Sequence, residues 1–311
     1  MSARPSVSLR AQRGFAVVTL RAGDLEADYI PDLGMLGAAL RHRGEDVLAL
    51  PGGLGAYQKG HTTGLPLLAP WANRLGAARY TAGGVTVDVG ALPLHRDPNG
   101  LPIHGTMTAQ RGWEVTNVGT KDDAAVLSAR FDYGAHPDLL EAFPFPHELV
   151  TECRVGAGRL RVTTTVRATG RRAVPVSFGY HPYLRLPGVS RRGWWLDLPR
   201  CTRLVLDDTG LPTGATEPAG PIAAPLEGNA LDDLFALGAR RWIALLGGGR
   251  QITLNYESGY LFAQVYAPAG KQYACLEPMT APTNALVEGT ASTVEPGESF
   301  TARFSIAVSD L

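Results

Sequence analysis

Apolar residues recur at every second position along most of this chain. In HELVTECRV, His147–Val155, the side chains of Leu149, Thr151, Cys153 and Val155 fall on one side and the intervening residues on the other. VTVDV at Val85–Val89, LRVTTTVRA at Leu160–Ala168 and FTARFSIAV at Phe300–Val308 repeat the pattern. A period of two marks strands with one face in a core, because successive Cβ atoms point to opposite faces. The stretch GAG, residues 156–158, lies between two such runs and predicts a hairpin turn. Gln251–Tyr266 predicts a second hairpin, turning at Glu257–Gly259. Further strands are expected at Phe15–Arg21, Leu25–Ile30, Trp113–Val118, Ala125–Asp132, Val174–Phe178 and Arg203–Leu206. Only His136–Phe143 and Ala230–Leu237 suit short helices, and Leu211–Gly228 reads as a long surface loop.

Composition sharpens this into an all-β expectation. The 37 glycines and 23 prolines supply dense turn punctuation between the strands. Such a chain folds as a large antiparallel sandwich or barrel. Residues 1–311 are expected to form a single domain, since the flanks of Leu211–Gly228 do not differ in composition and no repeat of fixed period occurs. The formal net charge is zero, which removes the electrostatic argument for a nucleic-acid partner. No apolar run approaches the roughly 18 residues needed to span a bilayer, and the first residues lack the apolar core of a signal peptide. The expected setting is therefore cytoplasmic, without membrane or nucleic acid, as a monomer or weak homodimer. Cys153, Cys201 and Cys275 are far apart and suggest neither a disulfide framework nor a thiolate metal site.

The candidate chemistry sits in five segments: PLLAPWANRLG, GLPIHGTMTAQRGW, FGYHPYLRLPG, NALDDLFAL and CLEPMTAPTNAL. They contribute Asn73, Arg74, His104, His181, Asp232, Asp233 and Glu277. Taken singly, most have ordinary explanations. Arg74 suits a salt bridge at the core edge, His104 a loop cap, His181 a satisfied core histidine, and the two aspartates the first turn of a short helix. Glu277 is harder to dismiss, because a carboxylate ending a buried strand is costly unless paired or functional. Trp71, Phe178, Tyr180, Tyr183 and Tyr266 lie nearby in sequence. Flat rings beside forked hydrogen-bonding groups suit a sugar, and a histidine with a glutamate makes an acid/base pair. No GxSxG, P-loop or HExxH pattern offers a competing chemistry. Two carboxylates would also suit glycoside hydrolysis.

Together and in order, PWANRL, IHG, HPYLRL, LDDLF and LEPMTAPTNAL resemble the aldose 1-epimerase (galactose mutarotase) family. The early IPDLGMLGAALRHRGEDVLAL extends the likeness over nearly the whole chain. The resemblance implies a β-sandwich with its site on a concave sheet, His181 as general acid and Glu277 as general base. It implies that Asn73, Arg74, His104, Asp232 (in preference to Asp233) and Gln264 hold a monosaccharide, with no cofactor and no metal. Two departures bear on the pocket wall: Thr106, Met107 and Thr108 stand where the family carries an aromatic and a basic residue, and Leu184 stands where phenylalanine is common. The rival readings are a hexose-6-phosphate 1-epimerase using some of Arg41, Arg43, Arg96, Arg111 and Arg185, a non-catalytic sugar-binding module, and a lyase or hydrolase on a similar sandwich.

Overall fold

The alternation seen in the sequence becomes burial in three dimensions. In the strand His147–Gly156 every second residue from His147 is buried, and in its partner Arg159–Ala168 the buried residues are the even-numbered ones. Gly156 faces Arg159 across a two-residue turn, Ala157–Gly158, in which both residues have positive φ. That is the hairpin expected there. The computed structural model describes residues 4–311, and its named strands pair antiparallel.

Three large sheets and two two-stranded ones build the described residues. Ser6–Gln12, Phe15–Ala22, Leu25–Ile30, Leu36–His42 and Glu45–Asp46 form a five-stranded meander. It packs through its second and third strands onto the Ala124–Asp132 and His147–Gly156 strands of a nine-stranded sheet. An eight-stranded sheet covers the nine-stranded one, its central strands being Leu231–Leu237, Phe262–Ala267 and Ala274–Met279. The two large layers interlock through Phe304, whose ring lies 5.1 Å from Tyr180 and 5.6 Å from Tyr260. The Tyr180 hydroxyl reaches across to Thr164 Oγ1 at 2.7 Å. This is the β-sandwich expected, with three short α-helices among the described residues, one of them Pro137–Ala142 inside the predicted His136–Phe143.

Three expectations need correction. Gln251–Tyr266 is not a hairpin: Arg250–Ser258 pairs within the nine-stranded sheet and Phe262–Ala267 within the eight-stranded one. The chain changes layer at Gly259–Tyr260, and the fully buried Tyr260 fills the corner. Leu211–Gly228 is not a loop but holds two edge strands, Pro212–Ala219 and Ile222–Pro225, one on each large sheet. Its prolines suit an edge, where a missing N–H costs no ladder bond. Ala230–Leu237 is a strand, Leu231–Leu237, pinned between Cys201–Leu206 and Phe262–Ala267. No helix among the described residues is long and apolar enough to cross a membrane.

Candidate active site

Register decides which side chains meet. Across the three central strands Asp232 pairs with Tyr266 and Tyr266 with Cys275, while Leu234 pairs with Gln264 and Gln264 with Glu277. Directly paired residues share a face, so Asp232, Leu234, Gln264, Tyr266 and Glu277 all project away from the nine-stranded sheet. Phe235, Val265 and Leu276 project inward and join the main core. Asp233 has the inward parity and pairs with Arg203 Nε at 2.9 Å, whereas Asp232 accepts a bond from Gln264 Nε2 at 2.5 Å. The two aspartates expected to cap a helix thus point to opposite faces of one strand, and only Asp232 reaches the site. Glu277 lies inside Ala274–Met279 rather than at its end.

His181 is delivered opposite Glu277 by the same logic. Gly179 pairs with Met279 and Tyr183 with Cys275, which brings residue 181 across from residue 277. His181 Nε2 stands 3.1 Å from Glu277 Oε1, and both side chains are almost wholly buried. Tyr183 stacks on the imidazole at 4.5 Å and is itself held by a 2.7 Å bond between its hydroxyl and Thr62 Oγ1. Tyr266 lies at 6.0 Å and Tyr273 packs on Tyr183, a ring absent from the sequence-derived set. Trp71, Phe178 and Tyr180 belong instead to the sandwich core and do not line the site. Met107 and Leu184 are likewise core residues and change packing, whereas Thr106 and Thr108 are half-buried and line a cleft with Leu94, His95 and Arg96.

Asn73 and His104 arrive together on strained backbone. Both have positive φ, 58° and 67°, and the His104 N–H donates to the Asn73 carbonyl at 3.0 Å. Left-handed conformations in non-glycine residues cost free energy and concentrate where side chains are aimed for function. The His104 ring meets His181 edge-on at 5.5 Å. The next residue, Gly105, has φ +67°, and a Cβ there would lie 2.1 Å from the Ala69 carbonyl oxygen. Gly105→Ala should therefore cost about 2–4 kcal/mol, from left-handed strain plus overpacking. A lowered urea midpoint will register it.

Arg74 completes the cluster. Its Nε donates to Asp97 Oδ2 at 2.8 Å, and Nη2 stands 3.8 Å from Asp232 Oδ2. Asp97 was not in the sequence-derived set: DPNG reads only as a turn, and nothing in its spacing points to an arginine 23 residues earlier. Glu277 Oε2, Gln264 Oε1 and His104 Nδ1 are buried without a protein partner. Such groups converging on one spot are equipped to receive a hydroxyl-bearing ligand.

Burial sets the proton inventory. It pushes the Glu277 carboxyl well above the usual carboxylate range; the nearby Asp232 adds to the rise and Arg74 opposes it. Burial also pushes the His181 imidazolium down, and it holds His104 well below an ordinary histidine, aided by His181 and Arg74. Between the lowered His181 step and the raised Glu277 step the pair therefore carries one proton, held by the carboxyl.

The sequence model of aldose 1-epimerase matches residues 17–307. The chain belongs to the aldose 1-epimerase family. Solved structures agree on the fold at low identity. A galactose mutarotase-like protein from Clostridium acetobutylicum superposes with a TM-score of 0.88 at 20% identity, covering 99% of each chain. Galactose 1-epimerase from Lactobacillus acidophilus gives 0.79 at 14%, and an aldose epimerase homologue from C. elegans 0.75 at 15%, again over 99% of both chains. No curated protein sequence matches the chain. Within this family frame, all seven residues singled out as catalytic or sugar-binding (Asn73, Arg74, His104, His181, Asp232, Gln264 and Glu277) gather on one face of the eight-stranded sheet or at its edge.

Proposed function

We propose that the protein is a cofactor-independent aldose 1-epimerase that interconverts the α and β anomers of a free hexose. The observation that carries this reading is the 3.1 Å separation of His181 Nε2 and Glu277 Oε1. A ring-closed aldose bears its anomeric hydroxyl and its ring oxygen on one carbon, so a single C1 presents both oxygens to the two groups at once. Glu277 as carboxylate takes the proton from the C1 hydroxyl while His181 as imidazolium gives one to the ring oxygen. The C1–ring oxygen bond breaks, and the aldehyde turns about C1–C2. The hydroxyl left on the chain then attacks the other carbonyl face with the proton roles reversed. One proton enters the substrate and one leaves in each half, so the pair's inventory is unchanged at the end.

The reactive tautomer holds the same single proton as the resting pair, moved across the 3.1 Å contact from Glu277 to His181. Burial opposes that charge separation, while the Arg74 guanidinium and an arriving hydroxyl donor favour it. Arg74, His104, Asp232, Gln264 and Asn73 then hold the remaining hydroxyls, with Tyr266 and Tyr273 offering ring faces to the sugar's C–H surface.

A free sugar is favoured over a phosphorylated one because most of the candidate arginines are committed elsewhere. Arg41 pairs with Glu26, Asp28 and Asp46, Arg43 with Asp24 and Asp310, and Arg96 donates to the carbonyls of Val89, Gly90 and Gly100. The test is α/β exchange measured by NMR over an aldose panel that includes glucose, galactose and glucose 6-phosphate. Acceleration of a free hexose above its phosphate ester is expected. If no member of the panel is accelerated, the epimerase reading is wrong, and saturable binding without exchange would identify a sugar-binding module instead.

A further inference from the structure

Arg74 is held on more sides than an arginine at a core edge needs. Asp97, its principal partner, has a side chain only 2% exposed. The Asp97 carboxylate is fully committed: Oδ2 accepts Arg74 Nε at 2.8 Å, and Oδ1 accepts the backbone N–H groups of Asn99 and Leu101, each at 2.9 Å. That turn opens the strand-like return Leu101–Ile103, which leads directly into His104. The Ile103 N–H donates to the His95 carbonyl, and the Leu75 N–H to that of Pro102. One carboxylate thus fixes the guanidinium at one oxygen and the approach to His104 at the other.

The flat face of the guanidinium is covered as well. Gly210, in the turn between Cys201–Leu206 and Pro212–Ala219, has φ +78°. A Cβ there would lie 2.8 Å from Arg74 Nη1 and 3.0 Å from Cζ. Only a glycine lets this turn lie so close. With the Nε edge tied to Asp97 and one face under Gly210, the Nη groups are left facing Asp232 and Asn73 Oδ1, at 3.8 and 3.4 Å. A planar donor fork gains most when its orientation is fixed before the ligand arrives.

We propose that Asp97, seconded by Gly210, is a positioning residue that locks the Arg74 guanidinium in its sugar-facing orientation and couples it to the loop bearing His104. The sugar-facing role of Arg74 rests on the reading in the preceding section; the lock does not. Asp97→Asn isolates it, because the amide oxygen can still accept from Asn99 and Leu101 while the amide nitrogen cannot accept from Arg74 Nε. In galactose anomer exchange this variant should raise KM by roughly 10-fold with a smaller change in kcat, as expected when ground-state binding is lost. In an Arg74→Ala background, Asp97→Asn should change kcat/KM by less than about twofold, because residues acting through one another are not additive. Wild-type kinetics in Asp97→Asn, or losses that multiply across the two backgrounds, would overturn the proposal.

The lock is also read without substrate. In 15N NMR of arginine-labelled protein, rotation of the Arg74 guanidinium should be slow in the wild type and fast in Asp97→Asn. Equal rotation in the two proteins sinks the lock whatever the enzyme's activity. Slow rotation in a protein that accelerates no sugar would sink the epimerase reading and leave the lock standing.

Discussion

Glu277→Gln is expected to lower kcat for anomer exchange by about 10²–10⁴-fold, the usual worth of one positioned proton transfer. KM should move little, because the amide occupies the same volume and can still hydrogen-bond the anomeric hydroxyl. The fold should not suffer. Glu277 is buried, and its carboxyl is pushed up chiefly by that burial. A group whose folded pKa is raised favours the native state fully only below its unfolded pKa, about 4.3 for glutamate, and that contribution fades as pH rises toward the folded value. Glutamine does not titrate, so the variant's melting temperature should gain on the wild type as pH climbs from about 4 toward neutrality. A loss of activity with equal or higher Tm separates a base from a structural carboxylate. A kcat within a few-fold of wild type would remove Glu277 from the chemistry.

Much of this architecture is legible in the chain, and what is not has a common cause. A period of two reports that a segment is a strand and which residues face inward, and His147–Gly156 and Arg159–Ala168 follow it residue by residue. It does not report the pairing partner, which depends on contacts remote in sequence. Gln251–Tyr266 contains two good strands joined by a good turn, yet the strands join different sheets because each has stronger partners there. Leu231–Leu237 carries adjacent acidic residues that suit a helix start as well as a strand. Only its neighbours on both sides make it extended, and only register separates Asp232 from Asp233. Local preference is a weak prior that tertiary pairing overrides.

The site shows the same division. Glu277 stands out because a carboxylate in a buried apolar strand is expensive and needs a reason, whereas His181 taken alone suits a core histidine. Arg74, His104, His181 and Asp232 become a set with Glu277 through their order along the chain, and Gln264 joins them only through the family resemblance. Asp97 and Tyr273 carry no such mark. Asp97 looks like an ordinary turn residue, and it is one, through Oδ1; its second oxygen does the rest. A side chain with two jobs shows only the local one in sequence.

His181→Asn should lower kcat by a similar factor of about 10²–10⁴, for the complementary reason. The amide is polar and fits the aromatic cleft beside Tyr183, but it cannot deliver a proton to the ring oxygen. If His181 and Glu277 handle a single shared proton, removing either disables the exchange, and the double variant Glu277→Gln/His181→Asn should be scarcely worse than each single one. Two independent contributions would multiply instead. The pH profile makes the same distinction in the wild type. Protonating the one-proton pair abolishes the base, and burial moves that step well below the ordinary histidine value of about 6.5. Deprotonating it abolishes the acid, and burial moves that step above the usual carboxylate range. The acid limb of kcat/KM for galactose should therefore lie well below pH 6.5, and both limbs belong to the pair rather than to one residue. An inflection at about 6.5 that disappears in His181→Asn would show instead a solvated imidazole titrating alone, and with it the shared-proton mechanism would fall.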